Sequence, residues 1–283
     1  MTEKTVPLAA LIQMTSGLDP DDNLAVIDRA MGEAAAQGAT MAFLPEMSLL
    51  LDRDRARSGA HIAREADSPW PAALQTMAQR HAIWLHTGSI PLLADTGERR
   101  VNRSHVIAAD GSIRARYDKI HMFDVTLPTG ENWQESAAYE GGDTAVVVET
   151  PLGQMGLSVC YDLRFPELYR ALVDRGATVI AIPAAFTVPT GEAHWHVLMR
   201  ARAIETGCHV LAAAQNGTHA DGRDTYGHSI AVDPWGAVLA DAGNGVSDKG
   251  YMLAVAPIAS ETGVKARQAI PLARSRANRN LSL

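Results

Sequence analysis

The chain has 283 residues, 47% of them hydrophobic and 20% charged, enough to bury a substantial core in one large domain or two small ones. A net charge of −7 argues against a phosphate backbone as the main partner, and no apolar stretch approaches the roughly 20 residues of a membrane-spanning helix. Two cysteines are too few for a disulfide scaffold, and Met1-Thr2-Glu3-Lys4 does not open a secretory leader, so a reducing cytoplasm is the expected location.

Pro7 to Met14 reads as a buried strand. A helix follows from Asp19 to Gln37, opened by Asp19-Pro20-Asp21-Asp22 with acids at the positive end of its dipole, and closed at Gly38. Thr40 to Leu44 is a second strand, and Ser68-Pro69 caps a helix running through Arg80. Ile83 to Ile90 and Val101 to Ala109 read as strands, with Asp110-Gly111 turning into a strand from Ile113 to Tyr117. Pro151-Leu152-Gly153 joins Val146 to Glu149 and Gln154 to Val159 in another hairpin. The order then repeats: helix Pro166 to Arg175, strand Thr178 to Pro183, helix Gly191 to Thr206, strand His209 to Gln215. Tyr226 to Val232 and Ala237 to Ala240 flank the turn at Asp233-Pro234-Trp235-Gly236, and Tyr251 to Val255 is the last strand.

Strands alternating with helices in both halves, with hairpins appended, predict an α/β class with two mixed sheets between helix layers. No linker or repeat divides the chain, so a single domain is expected, with a core over about 6–257 and a tail over 258–283. In that tail Lys265, Arg267, Arg274, Arg276 and Arg279 face only Glu261. Ile270, Pro271 and Leu272 favour docking on the body or on a second subunit over contact with nucleic acid.

Three segments end in reactive groups. Ala42-Phe43-Leu44-Pro45-Glu46 stops at a carboxylate, Ile113 to Lys119 at an amine, and Gly156-Leu157-Ser158-Val159-Cys160 at a thiol followed by a polar turn. Open α/β folds place their chemistry at the carboxyl ends of strands. Taken singly, each residue is unremarkable, since cysteine often packs in cores and lone charges are usually solvated. Together they describe amide hydrolysis. A thiol attacks as thiolate, so Glu46 is suited to take its proton and hand it to the departing amine. Lys119 and the Tyr161 backbone N–H are suited to the oxyanion. A thioester forms, and water releases the acid without any metal or cofactor.

Other constellations are weaker. His194 and His196 lie about 200° apart around a helix and cannot hold one ion. His209, His219 and His228 read as structural, and Cys208 as core. Gly227-His228-Ser229-Ile230-Ala231 lacks the last glycine of a serine nucleophile elbow. Arg200, Arg202 and Glu205 read as buried ion pairs or subunit contacts. Asn216-Gly217-Thr218 and Asn280-Leu281-Ser282 match a glycosylation pattern that carries no weight without secretion.

Leu44-Pro45-Glu46, Tyr117-Asp118-Lys119-Ile120-His121-Met122-Phe123-Asp124 and Val159-Cys160-Tyr161-Asp162-Leu163-Arg164-Phe165-Pro166-Glu167 resemble, in order and spacing, the three signature segments of the nitrilase superfamily of carbon–nitrogen hydrolases. The likeness runs from Leu8 through Val255 and implies a four-layer αββα sandwich with a catalytic triad of Glu46, Lys119 and Cys160. It maps a second glutamate, which orients the lysine, onto Glu135, and implies a homodimer. Thr190-Gly191-Glu192-Ala193-His194-Trp195-His196 through Thr206, Ala212 to Gly217 and Tyr226-Gly227-His228-Ser229 resemble the Nit branch. Within it, the likeness is to the amidase type acting on deaminated glutathione, whose amino group has become a keto group. The implied products are α-ketoglutarate and cysteinylglycine. Arg164, Phe186 and Thr190 match positions that hold the α-keto acid end, where a guanidinium grips a carboxylate bidentately.

The chain departs from that branch at Met47 to Asp54, after Glu46, and at Thr129-Gly130-Glu131-Asn132-Trp133, before Glu135. The first segment is expected to line the substrate entrance. Alternatives that keep the machinery are ω-amidase action on 2-oxoglutaramate, or hydrolysis of an N-carbamoyl amino acid. An inert binding protein of the same fold has no need for four chargeable groups in one site, and a nitrile gives Arg164 no carboxylate to hold.

Overall fold

The computed structural model describes residues 6–95, 97–126 and 130–272. Thr129, Arg274, Arg276, Arg279 and Asn280-Leu281-Ser282 lie outside the described residues. The first half comprises β1 (Leu8–Met14), α1 (Pro20–Ala36), β2 (Met41–Phe43), α2 (Arg55–Gly59), α3 (Pro69–His81), β3 (Trp84–His86), β4 (Ile90–Leu93), β5 (Arg100–Ile107), β6 (Ile113–Asp118), β7 (Asp124–Thr126) and β8 (Asn132–Gln134). The second comprises β9 (Val147–Thr150), β10 (Gly153–Leu157), α4 (Pro166–Asp174), β11 (Val179–Ala181), α5 (Val188–Thr206), β12 (His209–Ala212), β13 (Asn216–Thr218), β14 (Asp224–Tyr226), β15 (Ile230–Val232), β16 (Val238–Asp241), β17 (Tyr251–Pro257) and α6 (Ser260–Ala269).

One sheet runs β17-β1-β2-β3-β5-β4 with β6 added on β5, and the other runs β16-β15-β12-β11-β10-β9. Each is mixed: β1-β2-β3 and β10-β11-β12 are parallel, with antiparallel strands on either side. The two-residue period of a strand decides the layering. Ala9 and Leu11 of β1, with Met41 and Phe43 of β2, join the core shared with the second sheet. Their neighbours Ala10, Ile12, Ala42 and Leu44 join a second core with Ile27, Met31, Leu74 and Ala78 of α1 and α3. Helices α4 and α5 cover the outer face of the other sheet. The result is a four-layer αββα sandwich, and each large aliphatic side chain buried in it contributes about 1.5–3 kcal/mol.

Local signals act where expected. The Asp19 side chain accepts from the Asp21 N–H at 2.9 Å, Pro20 opens α1, and Asn23, Ile27, Ala30, Met31 and Ala34 form its buried stripe. Ser68 likewise caps α3 ahead of Pro69. Two expected strands prove to be broken. Ile83 to Ile90 splits into β3 and β4 because Gly88 takes φ +65° and its N–H donates to His86 Nδ1 at 3.1 Å. Tyr226 to Val232 splits at Gly227 and His228, both with positive φ, into β14 and β15. Helix α5 begins at Val188, three residues before the expected Gly191, with Pro189 in its first turn. The short α2, β7–β8, β13 and α6 escaped the sequence pattern, as did all of β14 but Tyr226. Arg267 of α6 donates to the Gly207 carbonyl at the end of α5 (2.7 Å). Among the described residues no helix is long and apolar enough to cross a membrane.

The break at Gly88 serves the site. Ser89 N–H donates to the Pro45 carbonyl at 3.3 Å, and Ser48 N–H donates to the Ser89 carbonyl at 3.0 Å, so this turn holds the loop that carries Glu46. A Cβ on Gly88 would lie 1.9 Å from the Pro45 carbonyl oxygen. Gly88→Ala should therefore cost about 3 kcal/mol, whereas Gly38→Ala, with the same sign of φ but open space around it, should cost about 1 kcal/mol. Urea denaturation of both variants checks this, and equal losses would show that the backbone contact is not limiting.

Candidate active site

Strand β2 ends at Phe43, and Leu44-Pro45 carries the chain to Glu46, which is buried at 5% exposure. Its Oε1 accepts from Lys119 Nζ and from Asn102 Nδ2, both at 2.9 Å, and its Oε2 accepts from the Ala185 N–H at 3.0 Å. The Glu46 carbonyl accepts from Gln215 Nε2 at 2.9 Å, which ties the loop to the second sheet. Lys119 follows β6 directly and is 2% exposed. Its ammonium donates to Glu46 Oε1 and to both Glu135 oxygens, at 3.0 and 2.8 Å. Glu135 stands in a single 3₁₀ turn after β8, steadied by the Phe123 N–H donating to its Oε2 at 2.7 Å.

Cys160 sits three residues past β10, at the start of a 3₁₀ turn, with φ +50°. A non-glycine residue rarely adopts this backbone, and the surrounding bonds hold it there. Its N–H donates to the Pro183 carbonyl at 2.8 Å. Asp162, fully buried, accepts from the Val159 N–H (2.8 Å), the Tyr117 hydroxyl (2.6 Å) and the His121 N–H (3.0 Å), and lies 2.7 Å from His121 Nδ1. Phe165 stacks on His121 with ring centroids 3.6 Å apart. One buried carboxylate thus locks the nucleophile's turn to the segment that carries Lys119. Sequence reasoning missed Asp162, Asn102 and the Ala185 N–H. Only Asp162 had a visible signal, as an acid two residues beyond the thiol, at the start of the polar turn.

The charges are balanced against burial. Desolvation pushes the Cys160 thiol well above its usual range, and the neighbouring Glu46 carboxylate adds to the rise, while Lys119 opposes it. Burial alone would depress the Lys119 ammonium, but Glu135 and Glu46 outweigh that, and the group is held well above the ordinary lysine value. The resting site is therefore a protonated thiol beside a carboxylate, with an ammonium clamped between two acids.

These four residues open into a cavity of about 410 Å³. Tyr161, Arg164, Phe186 and Thr190, all expected at the site, line it as well. The Arg164 guanidinium lies over the rings of Phe186 (5.5 Å) and Tyr161 (5.9 Å), with two nitrogens 3.4 Å from His194 Nδ1. Thr190 Oγ1 bonds to Thr187, and Phe186 meets Trp195 edge-on. Among the described residues the Tyr161 N–H donates to no backbone carbonyl of a neighbouring strand or loop. Met47, Leu50, Leu51 and Asp52 of the divergent loop form part of the wall. His196 and His228 lie apart from the cavity and share Asp241, at 2.9 and 3.0 Å. His209 and His219 are buried and kept neutral by desolvation. Cys208 is fully buried against the Ala177 carbonyl, and Arg202 pairs with Glu205 at 2.7 Å.

The shifted thiol and ammonium set a pH dependence of stability. Both keep their protons in the folded protein where the unfolded chain releases them, from roughly pH 8.5 for a thiol and 10.4 for a lysine. The unfolded state then binds fewer protons, so stability falls as pH rises above about 9. Urea midpoints at about pH 7.5 and about pH 10 should fall further for wild type than for Cys160→Ser. Equal falls would mean that the thiol ionises freely in the fold.

Residues 8–268 match the family model for carbon–nitrogen hydrolases. A protein of Synechocystis named deaminated glutathione amidase is 40% identical over 269 residues, covering 93% of this chain and 96% of that one. The crystal structure of Saccharomyces cerevisiae Nit3, a member of branch 10 of the nitrilase superfamily, superposes with a TM-score of 0.82 at 30% identity, over 98% of this chain and 99% of that one. A mutant amidase of Nesterenkonia, which shows acrylamide added at its active-site cysteine, is 28% identical with a TM-score of 0.75, over 95% and 99% of the two chains. The fold, the matched segments and the convergence of acid, amine and thiol agree, and the chain belongs to the carbon–nitrogen hydrolase family, in the Nit branch of the nitrilase superfamily.

Proposed function

We propose that this protein is a cysteine amidase that cleaves the γ-amide of deaminated glutathione, giving α-ketoglutarate and cysteinylglycine, within one catalytic domain. The observation that carries the chemistry is the placement of Lys119 Nζ at 2.9 Å from Glu46 and 2.8 Å from Glu135, beside the Cys160 thiol in one cavity. The names of relatives about as similar as the Synechocystis protein support the substrate. So does Arg164, whose charge meets no carboxylate among the described residues and suits the keto acid's own.

In this reading Glu46 takes the thiol proton as sulfur attacks the amide carbonyl, so charge is not built on an isolated thiolate. The oxyanion forms against the Lys119 ammonium and the Tyr161 N–H, with Glu135 giving up part of its hold on the lysine. The C–N bond then breaks, Glu46 passes its proton to the leaving amine, and a thioester remains on Cys160. Water enters, gives a proton to Glu46 and attacks the thioester. The C–S bond breaks, and the proton returns to sulfur as the acid leaves. Phe186 walls the substrate's methylenes and Thr190 offers a hydroxyl. We place the enzyme in a reducing cytoplasm, consistent with two cysteines that are both free thiols. We further propose a homodimer, for which the exposed Val197, Ile204 and Trp235 offer an apolar face.

The test is an assay of cysteinylglycine release from deaminated glutathione beside ammonia release from 2-oxoglutaramate. A kcat/KM about tenfold or more higher for the first is expected, and Cys160→Ala should retain less than about a thousandth of it. Faster ammonia release would make the protein an ω-amidase, and no turnover of either amide would sink the reading.

A further inference from the structure

The cavity is lined by six cationic side chains, and the protein neutralises only half of them. Lys119 is held by Glu46 and Glu135, while Arg53 and Arg223 share Asp221 at 3.7 and 3.1 Å. Arg164, Arg55 and Arg100 have no carboxylate partner among the described residues. They stand in two groups. Arg164 belongs to the nucleophile's own turn. Arg55, at the start of α2, and Arg100, at the start of β5, stand against the segment that carries Glu135. Arg55 Nη2 donates to the Gln134 carbonyl at 3.2 Å, and the Arg100 N–H donates to the Ala138 carbonyl at 3.0 Å.

The second group is built and held. Arg100 Nη1 donates to Ser58 Oγ at 3.0 Å, and Nη2 donates to the Arg55 carbonyl at 2.7 Å. All of these partners are neutral, so the guanidinium is positioned without being discharged. A guanidinium offers five N–H donors, and both arginines keep some unused. Of the nearby acids, Asp52 is taken up by Arg57 at 2.7 and 2.8 Å, and Glu131 stands exposed. Trp133 supplies an independent observation. It lines the same cavity, and its indole N–H is buried with no acceptor among the described residues. Buried donors are almost always paired, so this N–H is open to an oxygen acceptor that enters the cavity.

We propose that Arg55 and Arg100, with the Trp133 N–H, form a second anion subsite that takes the carboxylate of the leaving fragment. The enzyme would then select amides bearing a carboxylate on each side of the bond it cuts. This rests on the reading of the cavity as that of an α-keto acid γ-amidase, and it deepens that reading. Arg164 holds the acyl end, and a carboxylated amine on the other side discharges the two remaining arginines. An ammonia-releasing amide would leave the second subsite without its anion.

The test compares deaminated glutathione with its analogue whose terminal carboxylate is a primary carboxamide, and with 2-oxoglutaramate. Wild type should favour the acid over the carboxamide about 10- to 100-fold in kcat/KM, mostly through KM, as expected for losing charged hydrogen bonds. In Arg55→Gln/Arg100→Gln that ratio should fall to about one. Arg55→Gln alone touches an exposed side chain and guards against misfolding of the double variant; it should lower the ratio at least about threefold. A wild type indifferent to the carboxylate, or variants that keep the wild-type ratio, would overturn the subsite and leave the γ-amidase reading standing. Failure to cleave any of the three amides would overturn both.

Discussion

An ammonium buried to 2% exposure, between two carboxylates 2.9 and 2.8 Å away, is the constraint around which this molecule is organised. Taking a lysine out of water costs several kcal/mol, and that cost is recovered only when geometry and hydrogen bonds are both complete. Here all three contacts reach carboxylate oxygens. Removing the lysine would leave two buried carboxylates with no countercharge, at a cost of about 3–5 kcal/mol. The three side chains also come from separate parts of the chain, so the charge cluster forms only when the first sheet and the β7–β8 excursion are in place.

The same arrangement explains why the thiol rests protonated. With Glu46 and Glu135 ionised around one ammonium, a thiolate would add a second net negative charge inside a desolvated site, and the thiol is held well above its usual range. Reactivity then depends on handing the proton to Glu46 as sulfur attacks, with charge moving outward to the carbonyl oxygen near Lys119. The strained backbone at Cys160, φ +50°, is held by bonds from Pro183 and by the Asp162 clamp on Val159, Tyr117 and His121. Those bonds reach the segment ending in Lys119, so the positions of nucleophile and ammonium are set together.

Much of this was legible in the sequence, and the parts that were not share a cause. The Asp19 and Ser68 caps are local devices, each beside a proline, and the helices start there. The short apolar runs of β1 and β2 announced strands buried on both faces. The acid, amine and thiol were visible because each closes an apolar run. Glu135 was not visible in that way: it sits in a three-residue turn, among polar neighbours, and only the family resemblance pointed to it. Asn102 lies mid-strand, and Ala185 acts through its backbone, so neither carries a compositional signal. The breaks at Gly88 and His228 were missed because the flanking apolar residues continue the strand pattern across them. The Arg55–Arg100 pair depends on tertiary contact between residues 45 positions apart, through a hydroxyl and a carbonyl that no spacing rule records.

The buried, charged lysine can be observed directly. The chain contains four lysines, Lys4, Lys119, Lys249 and Lys265, so a proton–nitrogen correlation spectrum of side-chain ammonium groups can be assigned with single substitutions. Lys119 should give one ammonium resonance whose protons exchange slowly with water and which persists at about pH 10, where exposed lysines exchange too fast to be seen. A Lys119 signal that is absent, rapidly exchanging, or that of a neutral amine at neutral pH would contradict the ion-paired cluster and the chemistry built on it.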